Sequence, residues 1–215
     1  MLKKLLRGFI PKEGTLIYSF FGFSKFSWIY VRPNAFSQYM GTYEEEVLHL
    51  VKKYTKNANI IWDIGGSFGY YSSYFTKHNK QVAVVEPDYI CCEALKKLNA
   101  KSKYKFTLIQ KKLSGTNDNE NISVDKLLED FGLPDFIKID VDGGEEEVFN
   151  NCDNLISKSK TTFLIETHSQ ELEDHVLKQF NKNPQYKCFV IDRSEKTKAI
   201  RSKSDFNKWL ICEPN

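Results

Sequence analysis

The segment Asp63-Ile64-Gly65-Gly66-Ser67-Phe68-Gly69 has the residue types and spacing most able to do chemistry. It follows an apolar run and opens a helical pattern. Glycines at such a turn let the backbone reverse and come close to a ligand without a steric penalty. Glu86 ends the next apolar run, 23 positions after Asp63, where a carboxylate can accept both hydroxyl hydrogens of a ribose. Asp88 lies two residues beyond. A dinucleotide fingerprint would need glycine at positions 65, 67 and 70, and the chain has it only at Gly65. The acidic Asp63 ahead of the loop suits a ligand with a cationic aminoacyl group rather than a pyrophosphate. That is the pattern of enzymes that use S-adenosylmethionine. Asp63, Gly65, Gly66, Ser67, Phe68, Gly69, Glu86 and Asp88 are therefore the expected cofactor-binding residues.

A second group of charged residues sits where apolar ones would be expected. Lys138 and Asp140 are two apart in a strand built for burial, so they share a face. Charges there cost free energy unless paired. Asp140 is expected to position donor or acceptor, with Lys138 and Glu145 beside it. A structural ion pair is the alternative. Glu166 and His168 form another same-face pair, and the unperturbed pKa of His168 suits a general base. Asp140, Asp142, Glu145, Glu166 and His168 are also hard-metal ligand types. However, Asp140-x-Asp142-Gly143 lacks the remaining spacing of a calcium loop, so no metal is expected.

These residues need strands and helices to hold them. Short apolar runs at 60–64, 81–86, 106–109, 136–140 and 162–166 alternate with helical patterns at 70–77, 89–98, 124–131, 145–150 and 171–180. Near-continuous apolar strands alternating with helices imply a parallel, doubly wound α/β sheet covered on both faces. Ligands then bind at the carboxyl ends of the strands, where strand order reverses. Two further runs, 187–192 and 208–212, lack a strong helix between them and suggest a C-terminal antiparallel hairpin, for seven strands in all. Thr42 with Glu45 has the spacing of a capping box before Val47, Leu48, Val51 and Tyr54. Residues 1–40 form a basic, aromatic leader of short strands or an irregular lid, and 41–215 a single domain.

Composition sets the outer bounds. The chain has 215 residues, 41% hydrophobic and 27% charged, which fits one soluble globular domain. A net charge of +3 gives no footprint for nucleic acid. Cys91, Cys92, Cys152, Cys188 and Cys212 are odd in number and have no C-x-x-C spacing. The expectation is no disulfide framework, no zinc site and a cytoplasmic setting. Arg7 and Pro11 interrupt the first apolar stretch, which argues against a signal peptide. The aromatic run 16–31 is too broken to span a membrane. Lys3, Lys4 and Arg7 would give at most weak contact with anionic lipid. No feature of the sequence sets an oligomeric state.

The loop Asp63–Ser72 resembles the cofactor loop of FkbM-type methyltransferases. Ser123-Val124-Asp125-Lys126-Leu127 and Lys138-Ile139-Asp140-Val141-Asp142-Gly143-Gly144-Glu145 are similar to that family's S-L-D-x-L and K-I-D-V-E-G-x-E motifs, and Ile165-Glu166-Thr167-His168 resembles the end of its fifth strand. Asp142 departs from the family's usual Glu. The resemblance spans about residues 59 to 168. It implies a class I methyltransferase (Rossmann-like) fold, S-adenosylmethionine as cofactor, and methyl transfer, usually to oxygen. Lys112 and Ser114, in the short polar stretch before the second motif, are the expected adenine contacts. The acceptor implied is a hydroxyl on a sugar, glycan or lipid-like metabolite. The rival from another class is a non-catalytic module of the same fold serving binding or membrane docking. A scaffold of that kind would gain from apolar residues in place of Lys138, Asp140 and Glu145.

Overall fold

The computed structural model describes residues 10–78, 80–194 and 206–215. Lys3, Lys4 and Arg7, the expected lipid contacts, lie outside them. The described chain opens on a hairpin, β1 (Thr15–Ser19) and β2 (Ser27–Val31), followed by α1 (Phe36–Met40) and α2 (Glu45–Thr55). Then come β3 (Ile60–Ile64), α3 (Tyr70–Phe75), β4 (Gln81–Val85), α4 (Tyr89–Lys101) and β5 (Thr107–Ile109). A short parallel pair, β6 (Lys112–Ser114) and β7 (Asn121–Ser123), leads to α5 (Val124–Phe131) and β8 (Phe136–Ile139). The rest is α6 (Glu145–Phe149), α7 (Asp153–Lys158), β9 (Thr162–Thr167), α8 (Gln170–Asn181), β10 (Tyr186–Ile191) and β11 (Lys208–Pro214).

The main sheet has seven strands in the order β10-β11-β9-β8-β3-β4-β5. Its five central and leading strands are parallel, and β11 runs antiparallel to both β9 and β10. The strand order reverses between β3 and β8, which sets the ligand crevice at their carboxyl ends. Each strand feeds both faces by its period of two. Trp62, Ile64, Ile137 and Ile139 pack with Leu127, Val148, Phe149 and Val176 on one face. Ile61, Val84, Phe136 and Leu164 pack with Val47, Tyr71, Leu95 and Phe23 on the other.

Two expectations change, and a third, short strands or an irregular lid within residues 1–40, resolves to strands among the described residues. Thr42 does not cap α2. Its N–H donates to Ser37 O at 3.0 Å and completes the end of α1 instead. The helix starts at Glu45 from Glu44, which is buried, left-handed at φ 48, and accepts the Tyr71 hydroxyl at 2.7 Å. A tertiary contact thus sets the start that local spacing assigned to Thr42. Second, Cys188 and Cys212 are joined as a disulfide. They face each other in the β10–β11 register, a pairing that a 24-residue separation conceals. Third, the aromatic leader is a hairpin packed on α3 and α4. Phe23 is buried among Tyr70, Tyr71 and Tyr74. No helix among the described residues is long and apolar enough to cross a membrane.

Candidate active site

The carboxyl end of β3 is tied first by backbone to those of β8 and β4. Asp140 N–H donates to Ile64 O at 3.0 Å, and Gly65 N–H to Val85 O at 2.9 Å. Gly65 is left-handed at φ 75, and a Cβ there would fall 1.7 Å from the Asp140 carbonyl oxygen. No other residue lets the two strand ends approach this closely. Gly66 and Gly69 face away from the crevice, against Val84 and Leu98, and let α3 sit close to β4 and α4. Phe68 also turns outward, its ring stacked on Tyr30 and under the Arg32 guanidinium. Of the loop, Gly65 and Ser67 line the crevice.

Ser67 is held left-handed at φ 47 and its N–H donates to Glu86 Oε2 at 2.7 Å. The other Glu86 oxygen accepts the Asp88 N–H at 2.8 Å. Burial pushes the Glu86 carboxyl up, against the pull of those two N–H groups. Asp88 Oδ1 accepts from Cys91 N–H at 2.8 Å and caps α4. That bond leads the effects that hold Asp88 below the usual carboxylate range. The Cys91 thiol is pushed up to about 12, by burial first and by Glu86, so it lines the cleft as a neutral group.

Beneath the loop, Lys138 is buried opposite Asp63 in the β3–β8 register. Its Nζ donates to Gly65 O at 2.7 Å and lies 3.6 Å from Asp63 and 3.5 Å from Asp140. Burial would lower its pKa, but Asp140 and Asp63 outweigh that and raise it. Lys138 is therefore a fixed cation that pins the glycine turn. Burial pushes the Asp63 carboxyl up, with Lys138 and the 2.5 Å bond from the Ser72 hydroxyl opposing.

On the far wall, His168 Nδ1 is 2.7 Å from Glu145 Oε1. Its Nε2 is 3.6 Å from Asp140 Oδ1 and 3.4 Å from Asp142 Oδ1. Burial disfavours the charged ring, but the Glu145 bond and the charges of Glu145, Glu166 and Asp140 outweigh it and raise the pKa. Glu166 accepts from Asn207 Nδ2 at 3.0 Å. Asp140, Glu166 and His168 bring their ligand-type atoms within 4.8 Å of one another, a set that can hold a divalent cation.

The resulting cleft has a volume of about 580 Å³, with Gly65, Ser67, Glu86, Asp140, Glu166 and His168 on its walls. A neighbouring recess of about 150 Å³ shares Gly65, Glu86 and Asp140 and adds the apolar Val85, Leu113, Val141 and Val148. Lys112 borders this recess and pairs with Glu147. Ser114 lines neither cavity, and its hydroxyl lies 3.3 Å from Thr116 Oγ1. Tyr43, Cys91 and Asn207 join the cleft unexpectedly. Asn207 sits just before β11, and no local pattern marks it. Among the described residues, none before Tyr43 lines the cleft.

This sheet order and crevice define a class I methyltransferase fold. The methyltransferase FkbM domain matches residues 31–188, and the chain belongs to the FkbM methyltransferase family. Its cofactor is S-adenosylmethionine, and the donor set fits that ligand: a carboxylate for a ribose diol, carboxylates for a cationic end, and an apolar recess for a flat ring. Among solved structures, the methyltransferase FkbM of Methylobacillus flagellatus KT is similar at a TM-score of 0.58 and 16% identity, covering 82% of this chain and 54% of that one. An S-adenosylmethionine-dependent O-methyltransferase of Thermotoga maritima gives 0.53 and 13%, covering 80% and 65%. A tRNA methyltransferase of M. jannaschii gives 0.56 and 10%, covering 95% and 57%. The chain thus spans 54% of the length of the first of these. Likeness at such identities concerns the fold alone. No curated protein matches the chain.

Proposed function

We propose that this chain transfers a methyl group to a hydroxyl, with a sugar or glycan as the favoured acceptor. The observation that carries this is the Glu145–His168 pair, which turns His168 Nε2 toward the cleft beside Asp140 and Asp142. When bound, S-adenosylmethionine supplies an already activated methyl group. What the chain must add is alignment, exclusion of water and a place for a proton. His168 Nε2 takes the acceptor's hydroxyl proton, and Glu145 fixes the ring and stabilises its charged form. Asp140, steadied by Lys138, accepts a hydrogen bond from donor or acceptor. The residues of the cleft wall are polar and acidic, which suits a polyhydroxylated acceptor better than an acyl chain. The non-catalytic alternative leaves the Glu145–His168 pair on the cleft wall without a role.

A screen of sugars, glycans and lipids with isotopically labelled methyl donor tests this reading. Label in an ether-linked methyl of a sugar is the expected product. Cofactor binding without transfer to any hydroxyl would favour the binding module. A second reading, in which a divalent cation binds the acceptor hydroxyl, is favoured by the clustering of Asp140, Glu166 and His168. Full turnover in excess chelator supports the proton-acceptor role of His168. Loss that magnesium or manganese restores supports the cation.

A further inference from the structure

A second cavity, of about 240 Å³, lies away from the cleft residues, between the hairpin and the C-terminal ends of α3 and α4. Lys77, Lys101 and Lys103 line it, with the Ser102 hydroxyl and the rings of Trp28 and Tyr104. None of the described residues lining it is acidic. Lys77 is half-buried there, its Nζ 3.3 Å from Phe23 O. Burial and the neighbouring Lys52 lower its pKa to about 8. The three lysines give the cavity a positive lining with no carboxylate among its described residues to neutralise it, which suits an anion.

The turn beside this cavity exposes large aromatic side chains. Phe20, Phe21 and Phe26 are 56%, 58% and 63% exposed, whereas Phe23 of the same turn is buried with its ring centroid 4.0 Å from that of Tyr74. The turn is therefore anchored by one ring and presents three others to the outside. Phe26, which also borders the cavity, is held left-handed at φ 65 by a 2.7 Å bond from its N–H to Ser19 O. That conformation is unusual for a bulky residue. Lys25 sits over the Phe26 ring. Exposed rings next to a lysine-lined pocket match the two layers of an anionic membrane surface, acyl boundary and phosphate headgroup.

We infer that this side of the molecule docks on a membrane surface, with Phe20, Phe21 and Phe26 entering the interface and Lys77, Lys101 and Lys103 receiving the phosphate of an anionic lipid headgroup. The inference does not depend on the acceptor proposed above. The cavity shares no lining residue with the cleft, so docking here leaves the cleft open to a sugar or glycan hydroxyl.

Co-sedimentation of the full chain with vesicles tests this. Binding is expected to phosphatidylcholine vesicles containing phosphatidylglycerol and to be much weaker with phosphatidylcholine alone. Lys101→Gln with Lys103→Gln should weaken binding about 30-fold, the effect of removing two lysines near a charged surface. Phe20→Ser with Phe21→Ser should weaken it to a comparable degree. Binding of S-adenosylmethionine by both variants should be unchanged, which shows that they are folded. The inference fails if anionic vesicles bind no better than neutral ones, or if folded variants bind as the parent does. It also fails if the full chain retains a single-stranded RNA oligonucleotide but not the vesicles.

Discussion

Lys138 has three oxygen partners, and they are not equivalent. Asp63 is buried and Gly65 offers a backbone carbonyl, while Asp140 reaches into the cleft. Asp140→Asn should therefore leave Lys138 with two partners and shift the melting temperature little, while turnover falls roughly 10²-fold, the scale for a positioned polar group. Asp63→Asn should do the opposite and cost about 3–5 kcal/mol of stability, because Asp63, unlike Asp140, is wholly buried and removing its charge breaks a buried ion pair. Paired thermal melts and rates on the two variants separate alignment from scaffolding. Glu86→Ala should weaken cofactor binding by about 1.5–3 kcal/mol, read by calorimetry. An unchanged dissociation constant would move the ribose contact to Asp88. The pH profile tests His168. Its folded pKa is raised above the ordinary 6.5, so its charged form contributes stability that is fully present below 6.5 and lost as pH rises through the raised value. Base catalysis runs the other way, and kcat/KM should climb through that raised value. Glu145→Gln removes the charge that raises it, so the midpoint should move down while the plateau also falls. A midpoint that stays put would detach Glu145 from the proton transfer.

Among the elements, the central strands could be read almost to the residue because burial on both faces leaves a continuous apolar run, as in Ile60–Ile64 and Phe136–Ile139. The glycine loop, Glu86 and the Lys138–Asp140 spacing were legible for the same reason: each departs from what a buried strand or its turn would otherwise contain. What sequence could not show depends on register or distant packing. Nothing local places β11 between β9 and β10, and so nothing marks Asn207 as a cleft residue or pairs Cys188 with Cys212. Likewise Phe68 follows the loop motif in sequence but is turned outward, against Tyr30 and Arg32, and Ser114 lines neither cavity. The disulfide gives a prediction at this scale. It joins strands β10 and β11 across 24 residues, and closing a loop of that size is worth about 3 kcal/mol in the chain-entropy account. Cys188→Ser, or reduction of the parent chain, should lower the denaturation midpoint accordingly and leave cofactor affinity intact. If reductant leaves the midpoint where it was, the pair contributes nothing to stability in solution.

For the molecule as a whole, the question is whether the aromatic hairpin serves the cleft or the core. A lid would place its rings over the acceptor, but among the described residues the cleft lining begins at Tyr43. The hairpin instead buries Phe23, Ile29 and Val31, with Phe23 joining the core formed by α2, α3 and α4 beneath it. The aromatic contacts of Phe23 with Tyr70, Tyr71 and Tyr74 connect that core to the helix that begins at the cofactor loop. Phe23→Ala would leave a cavity among three tyrosines, and truncations of this kind cost about 3–5 kcal/mol. The expected result is a markedly lower melting temperature with turnover per folded molecule near that of the parent. A lid predicts the reverse: an almost unchanged melting temperature, with turnover reduced because water enters the cleft. Measuring activity well below the variant's melting transition, with the folded fraction followed by near-ultraviolet circular dichroism, decides between them. The core reading also requires that added S-adenosylmethionine raise the variant's melting temperature by ligand linkage, since its site is still present. A variant that stays folded but gains nothing from the cofactor would show that the hairpin shapes the site after all.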